Sequence, residues 1–235
     1  MFYEMILPVL VFLGIVIGLT AIARPLIFQI PAMRRTLEIN QAMDAPKMAQ
    51  QKYIDATRVS KRTGMLVALF FILIVSPLLL TLQARAWWLV IVDVVAVLMI
   101  YDFFYYLMHR FLFHGQGKLR RVHAVHHQAR KPSTIDGDYV HPVETLMGLG
   151  LFALTMIGYG LAMPEHQLHA VSAGVATLIY FHLNVINHVH IDLPYFPFKT
   201  LHWIAAKHDV HHENMHKGNY ASITLLFDKM FGTLD

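Results

Sequence analysis

The chain has 235 residues, of which 56% are hydrophobic, only 14% are charged and none is cysteine. Soluble domains average about 25% charged residues, so this composition argues against an ordinary soluble domain and indicates a membrane protein. The lack of cysteine excludes disulfides, thiolate ligands and iron–sulfur clusters, and the formal charge of +4 is too modest to predict nucleic-acid binding.

Five apolar runs follow one another along the chain, and each approaches the roughly 20 residues that a membrane-crossing helix needs. A cleaved signal peptide is the alternative for the first run, but no basic segment precedes it. Pro77 should kink the second run, and Asp93 and Asp102 in the third should face the protein interior. The runs comprise residues 5–23, 65–82, 86–108, 145–163 and 168–186.

A basic stretch separates the first two runs. Residues 37–43 and 47–59 favour helix, and we expect short helices at the membrane interface, a solvated linker being the alternative. The predicted organisation has two parts: residues 1–63, an N-terminal membrane helix with a basic interfacial segment, and residues 64–235, which contain all histidines. The predicted fold class is all-α, an integral membrane bundle of four to five membrane-embedded helices with a histidine-rich helical cap.

Basic residues predict the orientation of this bundle. With five runs, 18 of the 19 lysines and arginines fall on one side of the membrane, and only Arg85 falls on the other. The positive-inside rule places the basic side in the cytoplasm and the N-terminus outside. All candidate metal ligands lie on that cytoplasmic side, as we expect for a multi-pass protein of a bacterial inner membrane.

Two histidine triplets with the same spacing organise the sequence. Each has imidazoles at i, i+3 and i+4, within residues 123–127 and 208–212, and on a helix these positions share one face, so the three imidazoles of a triplet should point into one volume. His109 and His114 would diverge by about 140° on one straight helix, so either the helix ends between them or they reach different metals. The two triplets, this pair and His188 supply too many ligands for one zinc ion, which takes four. They suit two metals with four or five ligands each. The nine candidate ligands are His109, His114, His123, His126, His127, His188, His208, His211 and His212.

The remaining histidines have more ordinary interpretations. A single histidine at a membrane interface is usually a hydrogen-bonded polar residue, and this applies to His166, His169, His202 and His216. It stays open whether a further group completes the metal shell. The candidates for that role are His141, His182, His190 and Asn184.

This array resembles the fatty acid hydroxylase / sterol desaturase superfamily of membrane di-iron enzymes. The resemblance runs from Asp102 to the C-terminus and includes the His-Pro-x-Glu stretch within residues 139–145 and the segment 188–194. Residues 218–222 and 228–233 resemble the C-4 methylsterol oxidase branch in particular. Two departures are Asn184, where some members place another histidine, and Leu226–Phe227, where a tryptophan often precedes the aspartate.

The resemblance implies an O2-dependent oxidoreductase that holds two iron ions and hydroxylates or desaturates an unactivated C–H bond of a sterol or other lipid from the bilayer. It makes residues 64–235 the catalytic domain, with zinc as a substitute metal in purified protein. We expect Asp102 and Glu144 to accept hydrogen bonds that orient imidazoles, with Asp209 and Asp228 as further acceptors. Helix capping or ion pairing is an equal alternative for these four carboxylates. Asn184 should support or weakly ligate a metal. We expect no fused cytochrome b5 domain, so electrons should come from a cytochrome b5-like protein or a ferredoxin and its reductase.

Other functions fit the sequence less well. A metal-handling transporter usually places ligands near the bilayer midplane and shows paired repeats, whereas these histidines lie beyond the predicted helix ends. A zinc-dependent membrane hydrolase would need a His-Glu-x-x-His motif, which neither triplet has. Bis-histidine haem ligation would need histidine pairs inside the bundle. The sequence does not choose the substrate, hydroxylation or desaturation, or the oligomeric state.

Overall fold

The structure, a computed structural model, describes residues 2–235 as a bundle of α-helices with one short pair of strands. A one-turn π-helix follows α1 at Gly14–Gly18, another follows α4 at Phe71–Val75, and a third continues α6 at Met108–Phe113. The strands are β1 (Leu80–Thr81) and β2 (Leu168–His169), which pair in parallel. The helices are α1 (Phe2–Leu13), α2 (Leu19–Ile27), α3 (Pro31–Met48), α4 (Gln51–Phe70), α5 (Ser76–Leu79), α6 (Trp87–Leu107), α7 (Leu119–His123), α8 (Pro142–Ala162), α9 (Ala170–His188), α10 (Lys199–Glu213) and α11 (Leu226–Met230).

Five helical stretches within residues 2–235 are long and apolar enough to cross a membrane. They confirm the predicted all-helical membrane class and correspond to the five apolar runs. Their exposed large apolar side chains are those expected of lipid-facing surfaces. The stretches are Tyr3–Ile27, Gln51–Leu79, Trp87–Phe113, Pro142–Ala162 and Ala170–His188.

The second of these stretches is longer than its apolar run. It begins at Gln51, so most of the segment 47–59, which we expected to form a short helix of its own, continues directly into a membrane-crossing helix. Tyr53 and Thr57 on this part of the helix are buried: Thr57 Oγ1 donates to the Tyr53 carbonyl at 2.7 Å, and one turn further the Ser60 and Thr145 hydroxyls lie 2.9 Å apart. The other expected short helix, residues 37–43, lies inside α3.

Helix α6 lies at the centre of the bundle and packs against both α8 and α9. Tyr101 is fully buried there, with its ring edge-on to those of Phe152 and Tyr180. Toward the β1–β2 end, Asp93 accepts hydrogen bonds from Arg85 at 2.7 Å and from Tyr159 and Ser172. This carboxylate faces the interior, as its position in an apolar run predicted.

Candidate metal centre

Five elements, with the residue that follows the first of them, bring the nine candidate histidines together at one end of the bundle. His109 lies in the π-helix at the end of α6, and His114 follows directly after it. His123 ends α7, and the next two histidines form the 3₁₀ turn His126–Gln128. His188 is the last residue of α9, and the second triplet lies on α10.

The ligand nitrogens form two groups, and within each group they all lie within 4.8 Å of one another. The helix ends before His114, which lets it join His109 in the same group in spite of their spacing. The first histidine group is His109, His114, His123, His127 and His211; the second histidine group is His126, His188, His208 and His212.

Each triplet divides between the two groups. In the second triplet, on α10, His208 and His212 belong to the second group and His211 to the first. Helix geometry explains the division, because i and i+4 lie about 40° apart around the axis whereas i+3 and i+4 lie about 100° apart. The expectation that all three imidazoles of a triplet point into one volume was therefore wrong: the first triplet divides in the opposite sense, giving His126 alone to the second group.

Backbone carbonyls fix the tautomers of five ligands. Nδ1 lies 2.7 Å from the Tyr220 carbonyl in His109 and 2.7 Å from the Gly218 carbonyl in His211. A carbonyl oxygen only accepts, so Nδ1 must carry the proton and Nε2 must present a bare lone pair. His114, His126 and His188 make the same kind of bond to the carbonyls of Met215, Tyr139 and Asn184.

These lone pairs converge at distances that suit a metal ion. Nε2 of His123 lies 3.0 Å from Nε2 of both His109 and His127, and Nε2 of His188 lies 3.0 Å from that of His126. Two such nitrogens repel each other unless a cation lies between them, and ligands about 2.1 Å from a metal and at right angles are about 3 Å apart. The nine imidazoles therefore fit two metal ions.

Burial keeps these imidazoles neutral, which is the form that binds metals. Loss of solvent lowers the pKa of His114 to about 4. It lowers the pKa of His126 to about 4 as well, although the nearby Glu144 carboxylate opposes the shift. Burial, reinforced by neighbouring imidazoles, holds the pKa of His211 and His212 well below the ordinary value.

Glu144 lies beside this centre and contacts a ligand directly. It is buried in the first turn of α8, and its Oε1 lies 2.8 Å from Nδ1 of His123. A carboxylate in that position orients the imidazole and increases its basicity toward a metal. The sequence expectation for Glu144 was an orienting role of this kind.

Asp102 and Asn184 occupy different positions. Asp102 is buried in α6 and accepts hydrogen bonds from the backbone amides of residues 222–224, with no imidazole among its partners in the described chain. It therefore holds the loop that carries the Tyr220 carbonyl. The Asn184 side chain donates to the Tyr180 carbonyl at 2.9 Å, and only its backbone oxygen contacts a ligand, His188.

The loop at residues 218–222 supports the first histidine group. Gly218 is required there because a Cβ would lie 1.8 Å from the Thr233 carbonyl, and Asn219 adopts a left-handed conformation with φ +63°. Asp228 accepts from the Tyr220 and Ala221 amides, both at 2.8 Å. The sequence marked this stretch only by resemblance, because its contribution to the site comes from carbonyl groups.

Helix α3, in the N-terminal part of the chain, contacts the segments around residues 133–136 and His190 near the histidine groups. The Lys47 ammonium bonds to the buried Asp136 carboxylate and lies 2.7 Å from the Ser133 hydroxyl. Asn40 bonds to both the amide and the carbonyl of His190, each at 3.0 Å. The sequence gave no signal for these contacts, which join residues far apart in the chain.

The other histidines lie outside the two groups. His141 caps α8 by accepting from the Val143 amide, and exposed His182 bonds to the Leu178 carbonyl. His190 contributes backbone groups to Asn40. Asp209 lies between ligands on α10, and burial raises its pKa to about 6.

A cavity of about 330 Å³ adjoins the second histidine group, and we name it the metal-side cavity. His126 and His188 line it next to Glu144, and aromatic rings of α6 and α9 form another part of its wall. It lies among membrane-crossing helices, so the second histidine group faces a space between these helices.

Comparisons with known proteins place this centre in a family. Residues 94–233 match the model of the fatty acid hydroxylase family. Methylsterol monooxygenase 1 of Rattus norvegicus is 32% identical over 63% of this chain and 48% of its own length. A very-long-chain aldehyde decarbonylase of Oryza sativa subsp. indica is 33% identical over 65% of this chain and 56% of its own length.

The chain spans about half the length of the curated relatives it matches, and no solved structure matches it. The matched segment covers more than half of the chain and includes all nine histidines of the two groups. The chain therefore belongs to the fatty acid hydroxylase family.

Proposed function

We propose that the protein is an O2-dependent di-iron oxidoreductase that hydroxylates or desaturates an unactivated C–H bond of a sterol or other lipid. The observation that carries this proposal is the placement of two convergent sets of neutral imidazoles beside a cavity among membrane-crossing helices. No amino-acid side chain alone oxidises an unactivated C–H bond, and the similarity to enzymes named methylsterol monooxygenase supports lipid oxidation.

The two irons, once bound, supply the redox chemistry with O2, and the nine histidines would hold them. The residues around them perform the other tasks. Peptide carbonyls hold the Nδ1 protons of His109 and His211, which keeps both Nε2 atoms directed inward. Glu144 does the same for His123. The metal-side cavity would orient the lipid beside His126 and His188 and exclude water from the reacting carbon.

Two further parts of the proposal concern the surroundings of the enzyme. The concentration of basic residues on the histidine side supports a cytoplasmic position for the metal centre. Electrons would come from a separate cytochrome b5-like or ferredoxin-type donor. Zinc is a plausible contaminant, because histidine sites bind it well, so iron has to be measured in protein protected from exchange.

The test combines metal analysis with lipid mass spectrometry of cells that express the protein. We expect two metals per chain, preferentially iron, and oxidised lipids that disappear in His126→Ala and His211→Ala, one variant for each group. His182→Ala is the matched control, since this exposed histidine lies outside both groups. Lipid oxidation by metal-free protein, or full turnover in both ligand variants, would refute the proposal.

A further inference from the structure

A second cavity continues from the metal-side cavity toward the middle of the bundle. It has a volume of about 360 Å³, and we name it the tail cavity. Its lining is apolar apart from Thr177 and includes Phe12, Phe71 and Met156. Gly64, Leu149 and Phe181 line both cavities, so the two spaces meet at these three residues.

Helix α9 lines both cavities along one face. His188, Asn184 and Phe181 line the metal-side cavity, and Phe181 and Thr177 line the tail cavity. These positions are spaced by four, three and four residues, so they lie on one face of the helix. Between His188 and Thr177 the helix rises about 16 Å, which is about half of the ~30 Å hydrocarbon thickness of a bilayer.

Helices α4 and α8 repeat this arrangement. On α4, Ser60 lines the metal-side cavity and Gly64 lines both, and Phe71, the first residue of the π-helix that follows, lines the tail cavity. On α8, Glu144 and Met156 stand at the two ends of a face that is about 18 Å long. Three helices therefore line both cavities in succession, from the second histidine group to the apolar side chains, and we name this path the groove.

The polarity of the groove changes along its length. Near the histidines, Lys61 and Asp138 form an ion pair at 3.2 Å, and the Ser60 and Thr145 hydroxyls lie 2.9 Å apart. Beyond Gly64, charged side chains are absent from the described lining. Such a gradient matches an amphiphile that has a polar end and one long apolar tail.

We propose that the groove binds a lipid with its polar end at Lys61 and Asp138, the carbon to be oxidised beside His126 and His188, and its tail extended past Gly64 into the tail cavity. This assignment rests on the proposed function and adds the substrate class and the direction of binding. Ile17 and Met65 line the tail cavity and are exposed on the lipid-facing surface, so the tail enters sideways from the bilayer.

Gly64 sets how far the tail reaches. A Cβ at this position would lie 3.4 Å from Cδ1 of Leu149 and 3.8 Å from Cγ2 of Thr145, which is van der Waals contact across the junction. A larger side chain would therefore fill the junction between the cavities. Gly64 is a specificity-determining residue, because it admits tails that reach beyond the metal-side cavity.

The experiment uses the full-length protein in phosphatidylcholine vesicles with a single-tailed phosphatidylcholine that carries a photoreactive diazirine at the end of its tail. Mass spectrometry locates the cross-links. We expect them at Phe71 and Met156 in the wild type, and Gly64→Leu should reduce them about tenfold, because an overfilled junction excludes the tail. Gly64→Ala should give a smaller reduction, which covers a failure of the leucine variant to fold.

Gly158→Leu is the matched control, since Gly158 is exposed on α8 and a Cβ there contacts nothing within 4 Å. Tail-end labels spread evenly over lipid-facing residues such as Leu154, or unchanged labelling in both Gly64 variants, would overturn the inference. Labelling requires no turnover. Tail-cavity labels without lipid oxidation would therefore contradict only the proposed function, and oxidation without those labels would contradict only this groove.

Discussion

Replacing Asp102 with asparagine tests whether a buried carboxylate supports the metal centre through a loop rather than through a ligand. Asp102 Oδ1 accepts from the Ser222 and Ile223 amides at 3.0 and 2.8 Å, and Oδ2 accepts from the Thr224 amide and hydroxyl at 3.0 and 2.8 Å. The same loop presents the Tyr220 carbonyl to His109.

The size of the effect follows from these four bonds. Asparagine keeps one acceptor oxygen, so the amide group replaces the other oxygen and two of the four donors lose their acceptor. Hydrogen bonds to a charged group contribute about 1.5–3 kcal/mol each, which predicts a loss of about 3–6 kcal/mol in the free energy of unfolding. Loss of support for an imidazole ligand typically lowers metal affinity about 10–100-fold.

Asp93→Asn is the matched control. Asp93 is also buried in α6, about 14 Å from Asp102 along the helix axis, and its carboxylate accepts from Arg85, Tyr159 and Ser172. Breaking this buried ion pair should cost a similar 3–5 kcal/mol without any contact to the histidine groups. Thermal unfolding in detergent should therefore show a fall of about 6–20 °C for both variants.

Metal binding separates the two substitutions. Titration of metal-free protein with Co²⁺, followed by its visible absorption, should show weakened binding only for Asp102→Asn. Equal affinity in Asp102→Asn and the wild type would refute the reasoning, because the loop would then not depend on this carboxylate. Weakened binding in Asp93→Asn would also refute it, since general destabilisation would explain both results.

Two other predictions concern the cap and its histidines. Lys47→Ala leaves the buried Asp136 carboxylate without its cation, and we expect a loss of about 2–3 kcal/mol in the free energy of unfolding together with weaker Co²⁺ binding. Lys47→Arg should restore both stability and binding. If arginine restores neither, the role of Lys47 does not depend on its charge. The metal-free protein should lose stability as the pH falls from about 6.5 to 4, because the unfolded chain then binds protons that His114 and His126, with pKa values of about 4, do not. Above pH 7 these two groups add no slope, and a flat unfolding temperature between pH 7 and 4.5 would contradict their burial as neutral groups.

The helical class and the membrane-crossing runs could be predicted because hydrophobic length is a local property of the sequence. The two histidine triplets could be recognised as candidate ligands for a similar reason, since their spacing is local. The division of each triplet between two groups was also available from helix geometry, because i+3 and i+4 differ by about 100°. The sequence interpretation treated each triplet as a single face and therefore missed this division.

The supports of the site could not be predicted in the same way. Tyr220 and Gly218 act through their carbonyl oxygens, which every residue possesses, so no side-chain pattern marks them. Lys47 and Asp136 meet across 89 positions of sequence, and only the folded chain brings them together. Asp102 was recognised as a buried carboxylate near the histidines, but its amide partners depend on a loop more than 100 residues away.

The two histidine groups depend on different parts of the chain. The first group is held by carbonyls of the C-terminal loop, at Tyr220 and Gly218. The second group faces the metal-side cavity through His126 and His188, and its surroundings extend to the N-terminal helices.

Two contacts connect the N-terminal helices to the second histidine group. Tyr53 stacks on Tyr139, and the Tyr139 carbonyl accepts a hydrogen bond from His126. Lys47 pairs with Asp136, and the next residue, Gly137, lies against the His188 ring. Both Tyr53 and Lys47 precede the segment that matches the family. Substitutions in the N-terminal helices should therefore affect the second histidine group first, while those in the C-terminal loop should affect the first histidine group. Under the proposed function, the N-terminal helices would therefore couple lipid binding to metal binding at the second histidine group.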